Sequence, residues 1–344
     1  MPTREDLQIL QAQDLELKIM LTKQRIREWV TAFSSSGVYV SFSGGKDSTV
    51  LLHLVREVYP DVEAVFVNTG LEYPEIQRFV KTFDNVRILY PKKTFKQVIC
   101  EYGYPMISKE VSQVISDYRK NKETGKISYR MKRLDGTLKD KNGNKSLFCC
   151  EKYKPIVDTD FQLSNKCCDI MKKAPLHLFE KEYEKKPIIA TMTEDSRARE
   201  TAWLNTGCNV FDSKYQMSKP MSFWTNQDVL QYIKENNIKI PSVYGDICND
   251  KNGQLAFDDC ACKLYTTGCD RTGCIFCGFG AHLEKGEGRF QRLKRTHPKQ
   301  YDFCINGGAY DEDGLWKPDS RGLGMGHVFD ELNKLYGEDF IKYK

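Results

Sequence analysis

The glycine-rich turn at residues 43–48 constrains the fold of this chain more than any other stretch. It reads Ser-Gly-Gly-Lys-Asp-Ser, follows a β-branched and aromatic run at 38–42, and is followed at once by an apolar run with helical spacing. A strand, a glycine turn and a helix in this order direct backbone N–H groups and a helix N-terminus at a phosphate. Gly44 and Gly45 allow the backbone to approach closely, and Lys46 adds a positive charge. The stretch therefore predicts a phosphate-binding loop.

Strands and helices alternate after this turn, and that alternation sets the fold class. Short apolar strand patterns at 63–68 and 86–90 are separated by a helical pattern that opens near Pro74. Elements of these lengths in this order imply a parallel sheet with helices on both faces. We therefore predict a doubly wound α/β domain over residues 35–245, with its ligand at the carboxyl ends of the strands.

The remaining segments are arranged around this domain. Residues 1–34 predict an N-terminal helix that packs on the sheet or on another subunit of a homo-oligomer. Residues 109–154 are rich in Lys and Arg and predict an inserted, mobile, basic segment, either a solvated loop or an arm that contacts a polyanionic substrate. Residues 246–344, rich in Gly, Cys and Asp, predict a small cysteine-rich C-terminal region.

Composition excludes some classes of protein. A formal net charge of +5 over 344 residues is mild, so charge alone does not indicate a nucleic-acid partner. The first residues lack an apolar signal core, and no run approaches membrane-spanning length. Thirteen cysteines without an export signal favour reduced thiols, metal binding or catalysis over disulfides. We therefore expect a cytoplasmic protein with no membrane partner.

The phosphate loop is not a Walker A motif, because Asp47 and Val40 stand where that motif requires a hydroxyl residue and its first glycine. It resembles the PP-loop of the ATP pyrophosphatases, S-G-G-x-D-S. Three downstream stretches resemble the phosphoadenosine phosphosulfate (PAPS) reductase family of that superfamily. They are the D-T-G-x-x-x-P-E-T-like stretch at 67–75, the strand-end segment at 190–199 and the K-P-L…W-T…D-V-like run at 219–229.

This resemblance implies a nucleotide site. Asn68 and Ile76 depart from the usual Asp and Thr of the family, which leaves a hydrogen bond at residue 68 but no carboxylate. Arg197 and Arg199 would supply bidentate phosphate contacts, although residues 190–199 also fit an ordinary capped helix start. The nucleotide-binding residues implied by the resemblance are Ser43, Gly44, Gly45, Lys46, Asp47, Ser48, Asn68, Thr69, Gly70, Glu72, Arg197 and Arg199.

Two cysteine pairs extend the resemblance. Cys167 and Cys168 begin a C-C-x-x-x-K-x-x-P pattern, and Cys274 and Cys277 form C-x-x-C. Both resemble segments of the cluster-bearing family members, which implies four thiolate ligands for a [4Fe–4S] cluster. The alternatives are structural zinc or, for the adjacent pair, ordinary buried thiols.

Further cysteines crowd this region. Cys269 is the expected substitute ligand or sulfur-carrying, catalytic thiol, and Cys260, Cys262 and His282 flank the C-x-x-C. The stretch at 149–155 has the same Cys-Cys-acid-Lys-Pro pattern as the stretch that begins at Cys167.

An intact loop is typical of enzymes that cleave ATP to AMP and pyrophosphate. The resemblance therefore implies adenylylation of an acceptor followed by sulfur transfer, with Lys46 stabilising the developing charge. Asp47 and Glu72 are candidates to hold Mg²⁺. The expected partners are ATP, a sulfur donor such as a cysteine desulfurase, and a nucleic-acid acceptor, as in the DNA-phosphorothioating members and the tRNA thiolases.

Other activities stay open. A sulfonucleotide (PAPS or adenylyl sulfate) reductase would bind a ready-made adenylyl sulfate and carry a catalytic Cys in an E-C-G-L-H tail, whereas no cysteine follows Cys304 here. Such a reductase would need another thiol as its nucleophile. A sulfate adenylyltransferase-like enzyme and a nucleotide-binding regulator are the remaining alternatives.

Overall fold

Apolar patterns with polar caps form the regular elements of this chain in the computed structural model, which describes residues 2–125, 128–249 and 263–344. The α-helices are α1 Arg4–Gln11, α2 Leu15–Phe33, α3 Lys46–Val58, α4 Pro74–Val80, α5 Phe95–Tyr102, α6 Lys109–Thr124, α7 Tyr129–Leu134, α8 Lys166–Cys168, α9 Ala174–Tyr183, α10 Arg197–Thr206, α11 Asn226–Glu235, α12 Arg289–Thr296, α13 Pro298–Ile305 and α14 Met325–Tyr336. The strands are β1 Val38–Ser41, β2 Ala64–Val67, β3 Val86–Leu89, β4 Met106–Ile107, β5 Lys186–Ile189, β6 Asn209–Val210, β7 Met217–Ser218, β8 Ile247–Asn249, β9 Leu264–Thr266, β10 Gly278–Phe279, β11 Ala309–Tyr310 and β12 Trp316–Lys317. Helical turns of 3₁₀ or π type lie at Glu151–Asp158, Asp169–Lys173, Thr193–Asp195, Ser242–Tyr244 and Ala281–Leu283.

A six-stranded sheet of order β3-β2-β1-β5-β7-β6 forms the centre of the α/β part. Strand β1 pairs in parallel with β2 and β5, whereas the edge strand β6 runs antiparallel to β7. The central strand carries Val38 and Val40, both fully buried, as expected for a parallel strand covered on both faces. The predicted doubly wound α/β class is confirmed.

The described residues divide into two compact units. The first unit is drawn from Met1–Asn68, Glu72–Tyr90 and Pro175–Thr272, and it contains the six-stranded sheet. The second unit is drawn from Thr69–Leu71, Pro91–Ala174 and Gly273–Lys344. These units are discontinuous in sequence, and the linear domain boundaries expected from composition remain a prediction.

The N-terminal segment forms two helices rather than the single one expected from the sequence. Helix α2 starts afresh because the carboxylate of Asp14 caps it, accepting a hydrogen bond from the Leu17 N–H at 2.8 Å. Within the first unit α2 packs against α3 and β7. The buried Lys18 ammonium binds the Asp228 carboxylate of α11 at 2.7 Å, which joins α2 to a second helix of that unit.

The basic segment 109–154 is more regular than a solvated loop, so that expectation is wrong for α6 and α7. Ser108 and Ser128 cap these two helices through their hydroxyls. Val114 and Ile115 of α6 are fully buried. The cause is an apolar helix face that the many Lys and Arg residues obscure in the sequence.

The second unit also contains the C-terminal helices. Phe290 of α12 packs on Phe329 of α14 with ring centroids 4.6 Å apart. Strands β4 and β10 pair in parallel, with Gly278 opposite Met106, and this pairing positions the neighbouring Cys277. Among the described helices, none combines the length and the apolar character needed to cross a membrane.

Candidate nucleotide-binding loop and cysteine site

The phosphate loop lies between β1 and α3 in the first unit. Ser48 closes it, because its Oγ accepts from the Ser43 N–H at 3.2 Å and donates to the Gly45 carbonyl at 2.9 Å. Gly45 is the N-cap of α3 and has no side chain to occupy the first-turn N–H groups. Apart from the Lys46 N–H, which donates to the Tyr244 hydroxyl, the first turn of this 13-residue helix has no side-chain cap and is left for an anion.

Gly44 is required by both its backbone conformation and its surroundings. Its φ is +70°, in the left-handed region, and an added Cβ would lie 2.7 Å from the Cγ2 atoms of Ile76 and Val80 in α4. Only glycine allows α4 to pack this close to the loop.

The first helical residues carry the charges of the loop. Lys46 is 2% exposed, and its Nζ contacts Asp47 Oδ1 at 2.6 Å. An ammonium has three donors, so this ion pair leaves Lys46 able to bind phosphate oxygens as well.

A second cationic group belongs to the same unit. Arg199 and Arg271 both form ion pairs with Asp195. Burial lowers the pKa of Arg199, the charge of Arg271 lowers it further, and the carboxylate of Asp47 opposes both effects. The charge of Asp47 thus acts on Arg199, and both Arg199 and Arg197, the first residue of α10, are exposed.

Sequence reasoning missed two neighbours of the loop, Tyr244 and Thr272. The Lys46 N–H donates to the Tyr244 hydroxyl at 3.1 Å, and that hydroxyl is hydrogen-bonded to Thr272 Oγ1 at 2.8 Å. Burial raises the pKa of Tyr244, and the charges of Asp47 and Cys269 raise it further. Cys269, the candidate catalytic thiol, is 2% exposed, and its N–H donates to the carbonyl of Val243, the residue before Tyr244, at 3.1 Å. No motif around Tyr244 marks it in the sequence.

The stretch after β2 carries the remaining candidates. The Asn68 N–H donates to the Leu89 carbonyl at 2.8 Å, which extends the β2–β3 ladder by one residue. Thr69 and Glu72 are buried, and Gly70 has a φ of +74°. Asn68 and Glu72 belong to the first unit, and Thr69 and Gly70 to the second.

The four expected ligand cysteines all belong to the second unit. The pKa of Cys167 is raised, and the largest cause is its hydrogen bond with Cys168. Burial of the thiol is the second cause, and negative charge on Cys168, Cys277 and Cys274 adds to it. The hydrogen bond from Cys167 is also the main cause that lowers the pKa of Cys168 to about 5, with Lys109 and Lys172 assisting. These thiols therefore interact across more than a hundred residues of sequence.

The donor chemistry of this cysteine group fits an iron–sulfur cluster or zinc, because soft thiolates are the preferred ligands of both. No set of three or more His, Cys, Asp or Glu side chains within residues 2–125, 128–249 and 263–344 has the arrangement of a metal site. Cys260 and Cys262 lie outside the described residues. His282 Nε2 is 3.2 Å from the Tyr153 hydroxyl.

The chain belongs to the phosphoadenosine phosphosulfate reductase domain family, whose model matches residues 37–124 and 126–250. The family resemblance noted from the loop and its downstream stretches is thereby confirmed.

Individual relatives are distant. An uncharacterised protein of Methanocaldococcus jannaschii is 22% identical over 291 residues, which are 81% of this chain and 51% of the relative, so the chain spans about half of that protein. An adenosine 5'-phosphosulfate reductase of Staphylococcus epidermidis is 21% identical over 250 residues, 72% of this chain and 80% of the relative. A phosphoadenylyl-sulfate reductase structure from Candida auris gives a TM-score of 0.37 at 15% identity, covering 70% of this chain and 91% of that one.

Proposed function

We propose that this protein is an ATP-using member of its family that cleaves ATP at the α-phosphate, adenylylates an acceptor and supports sulfur transfer to it. The observation that carries the proposal is the complete phosphate loop, with Lys46 buried at the start of α3. A family member that only accepted preformed adenylyl sulfate would have no pyrophosphate for such a loop to bind.

The first step is an in-line displacement at phosphorus. An oxygen of the acceptor attacks the α-phosphate, the bond from that phosphorus to the bridging oxygen breaks, and pyrophosphate leaves with the electron pair. Lys46 and the first N–H groups of α3 stabilise the charge on the leaving group. Arg199 offers a planar donor pair for the phosphates, and Asp47 and Glu72 supply carboxylates for Mg²⁺.

The second step replaces AMP by sulfur. The terminal sulfur of a persulfide, loaded by a donor such as a cysteine desulfurase, attacks the activated atom, and AMP leaves with the electrons of the broken bond. An external thiol then reduces the resulting disulfide, which releases the thiolated acceptor and restores the carrier thiol. Cys269 is the candidate thiol to carry that sulfur, because it is buried in the same unit as the loop. Cys167, Cys168, Cys274 and Cys277 would hold an iron–sulfur cluster or zinc, and a cluster would supply a site for sulfide.

Nucleic acid is the proposed acceptor. Support comes from the basic segment, where Lys132, Lys139 and Lys141 are exposed and form no ion pair with other described residues. An exposed set of unpaired lysines is the usual feature that binds a phosphate backbone.

Product analysis tests the ATP step. Purified protein with ATP, Mg²⁺ and pooled DNA or tRNA is expected to release pyrophosphate together with AMP or an adenylylated acceptor. Lys46→Ala and Asp47→Ala should lower the rate by at least about a hundredfold, since charge-stabilising groups contribute roughly 3 kcal/mol. The exposed Lys81→Ala is the matched control. ADP and orthophosphate as the products would contradict the proposal.

A second candidate is reduction of adenylyl sulfate, favoured by the similarity to the Staphylococcus reductase over 80% of that relative. It predicts that the protein releases sulfite from adenylyl sulfate with thioredoxin as reductant. The rate of sulfite release should not depend on Lys132 or the other exposed lysines. Digestion of the nucleic acid for thionucleosides or phosphorothioate linkages separates the two. Sulfite without thiolated nucleic acid would select the reductase.

A further inference from the structure

The first unit contains an open cavity of about 950 Å³ that the phosphate loop does not use. Its walls come from the later turns of α3, the end of α4 and the segment after α11, and we call it the α3–α4 cavity. The residues that matter for its chemistry are Leu52, Arg56, Phe79, Phe83, Ile238 and Ile240.

Most of this wall is apolar. Phe79 and Phe83 pack edge to face with centroids 4.9 Å apart, and both rings are only half-buried. Ile238 and Ile240 on the opposite wall are half-buried as well. A volume at the upper end of small-molecule sites, with largely apolar walls, is typical of a ligand pocket.

Arg56 gives the cavity one incompletely paired cation. Its Nη2 donates to the Asn85 carbonyl at 3.0 Å, but its Nε is hidden from solvent and has no acceptor among the described residues. Burial lowers the pKa of Arg56, and the charge of Asp84 offsets this only in part. Arg56 lines the cavity and its side chain makes a single hydrogen bond among the described residues, so an anion that reaches the guanidinium from the cavity would gain charge-assisted hydrogen bonds.

The acidic side chain of the cavity is already engaged. Glu57 forms an ion pair with Lys23 at 3.2 Å and accepts a hydrogen bond from the Tyr232 hydroxyl at 3.3 Å. Tyr232 in turn is 2.8 Å from His53 Nδ1. Glu57 therefore does not neutralise Arg56, and the cavity favours a negative ligand.

We propose that the α3–α4 cavity is a second ligand site, which takes a small molecule with an apolar body and one carboxylate or similar anion. The apolar body packs between Phe83 and Ile238, and the anion accepts from the terminal N–H groups of the Arg56 guanidinium. Thr49 connects this site to the phosphate loop, because it lines the cavity and its hydroxyl donates to the Gly45 carbonyl at 3.0 Å. The proposal stands independently of the reaction at the loop.

Two probes test it, 8-anilinonaphthalene-1-sulfonate by fluorescence and phenylacetate as its competitor. We expect saturable binding of one sulfonate probe per chain, displaced by phenylacetate. Arg56→Gln should weaken it at least about tenfold, as expected for loss of a charge-assisted hydrogen bond. Arg78→Gln on α4, whose side chain is 73% exposed, is the matched control and should bind as the parent protein does.

A second variant keeps the test decisive if Arg56→Gln fails to fold. Ile238→Asp places a carboxylate at a half-buried position of the wall, where it would pair with Arg56 and repel an anionic probe. It should weaken binding by a similar factor while circular dichroism and melting temperature stay near those of the parent. Absence of saturable binding, or equal affinity of the parent and a folded Arg56→Gln, would overturn the proposal.

Discussion

At the scale of single residues, the phosphate loop depends on the hydrogen atom that Gly44 has in place of a side chain. Its left-handed backbone and its contact with Ile76 and Val80 are two separate requirements. Gly125 has a similar φ of +67°, in the left-handed region, but no heavy atom within 4 Å of an added Cβ. Comparison of the two glycines separates backbone strain from steric overlap.

We predict that Gly44→Ala lowers the free energy of unfolding by about 2–5 kcal/mol, because strain and overpacking add. Gly125→Ala should lose only about 1–2 kcal/mol, from strain alone. Urea unfolding of both variants measures the difference. Equal losses of unfolding free energy in the two variants would show that α4 can move away from the loop without destabilising the protein.

Arg133 shows how a residue's environment changes its interpretation. In the sequence it stands beside Lys132 within the basic segment 109–154. In the structure it is buried, with Nη1 on Glu110 at 2.6 Å and Nε on the Phe148 carbonyl at 2.8 Å. Arg133 is therefore a structural residue of the basic segment, and Lys132 remains exposed.

At the scale of elements, Glu63 joins strands of the central sheet. It precedes β2 and binds Arg87 of β3 at 2.6 Å and Lys185, just before β5, at 2.7 Å. Burial by itself raises the pKa of Glu63, but the two cationic partners outweigh it and hold that pKa below its ordinary value. The carboxylate thus ties three strand ends together when it is ionised.

We predict a pH-dependent loss of stability in Glu63→Gln. A depressed pKa means that the contribution of Glu63 is present above the ordinary carboxyl pKa and is lost as pH falls through the depressed value. The variant should be about 1–3 kcal/mol less stable at pH 7, with the gap closing toward pH 3. Urea unfolding across this range measures it, with the exposed Glu182→Gln as control. A gap that is constant with pH would contradict the ionic explanation.

The basic segment makes a separate prediction. Changing Lys132, Lys139 and Lys141 together to Glu should weaken binding of a single-stranded oligonucleotide by about tenfold or more at low salt. The slope of log affinity against log salt should fall by roughly 0.7 for each phosphate that the variant no longer neutralises. Calorimetry should show unchanged ATP binding, and reversal of the exposed Lys81, Lys181 and Lys214 serves as the control. An unchanged salt slope would show that the basic segment does not bind the acceptor.

At the scale of the whole molecule, distant segments of sequence meet within each unit. The second unit unites Pro91–Ala174 with Gly273–Lys344 and so contains both cysteine pairs. A metal bound by both pairs would add a link between these segments, and its removal would destabilise them.

We predict that anaerobically purified protein is brown and contains iron and acid-labile sulfide. Cys274→Ala should bleach the colour and lower the melting temperature, and chelation of the parent protein should do the same. Cys248→Ala, a half-buried thiol of the first unit, is the control. A colourless protein with stoichiometric zinc would contradict the predicted cluster and show that the cysteines form a structural zinc site.

The sequence by itself determined the parallel α/β class, the phosphate loop at 43–48 and the pairs of candidate cysteine ligands. These features depend on spacing along the chain, where strand, turn and helix signals are local and readable. Only the tertiary structure decided that Tyr244 and Thr272 lie against the loop, that Arg133 is buried, and that the described chain forms two discontinuous units. The physical reason is that these contacts join residues up to about two hundred positions apart, and packing rather than local pattern selects them.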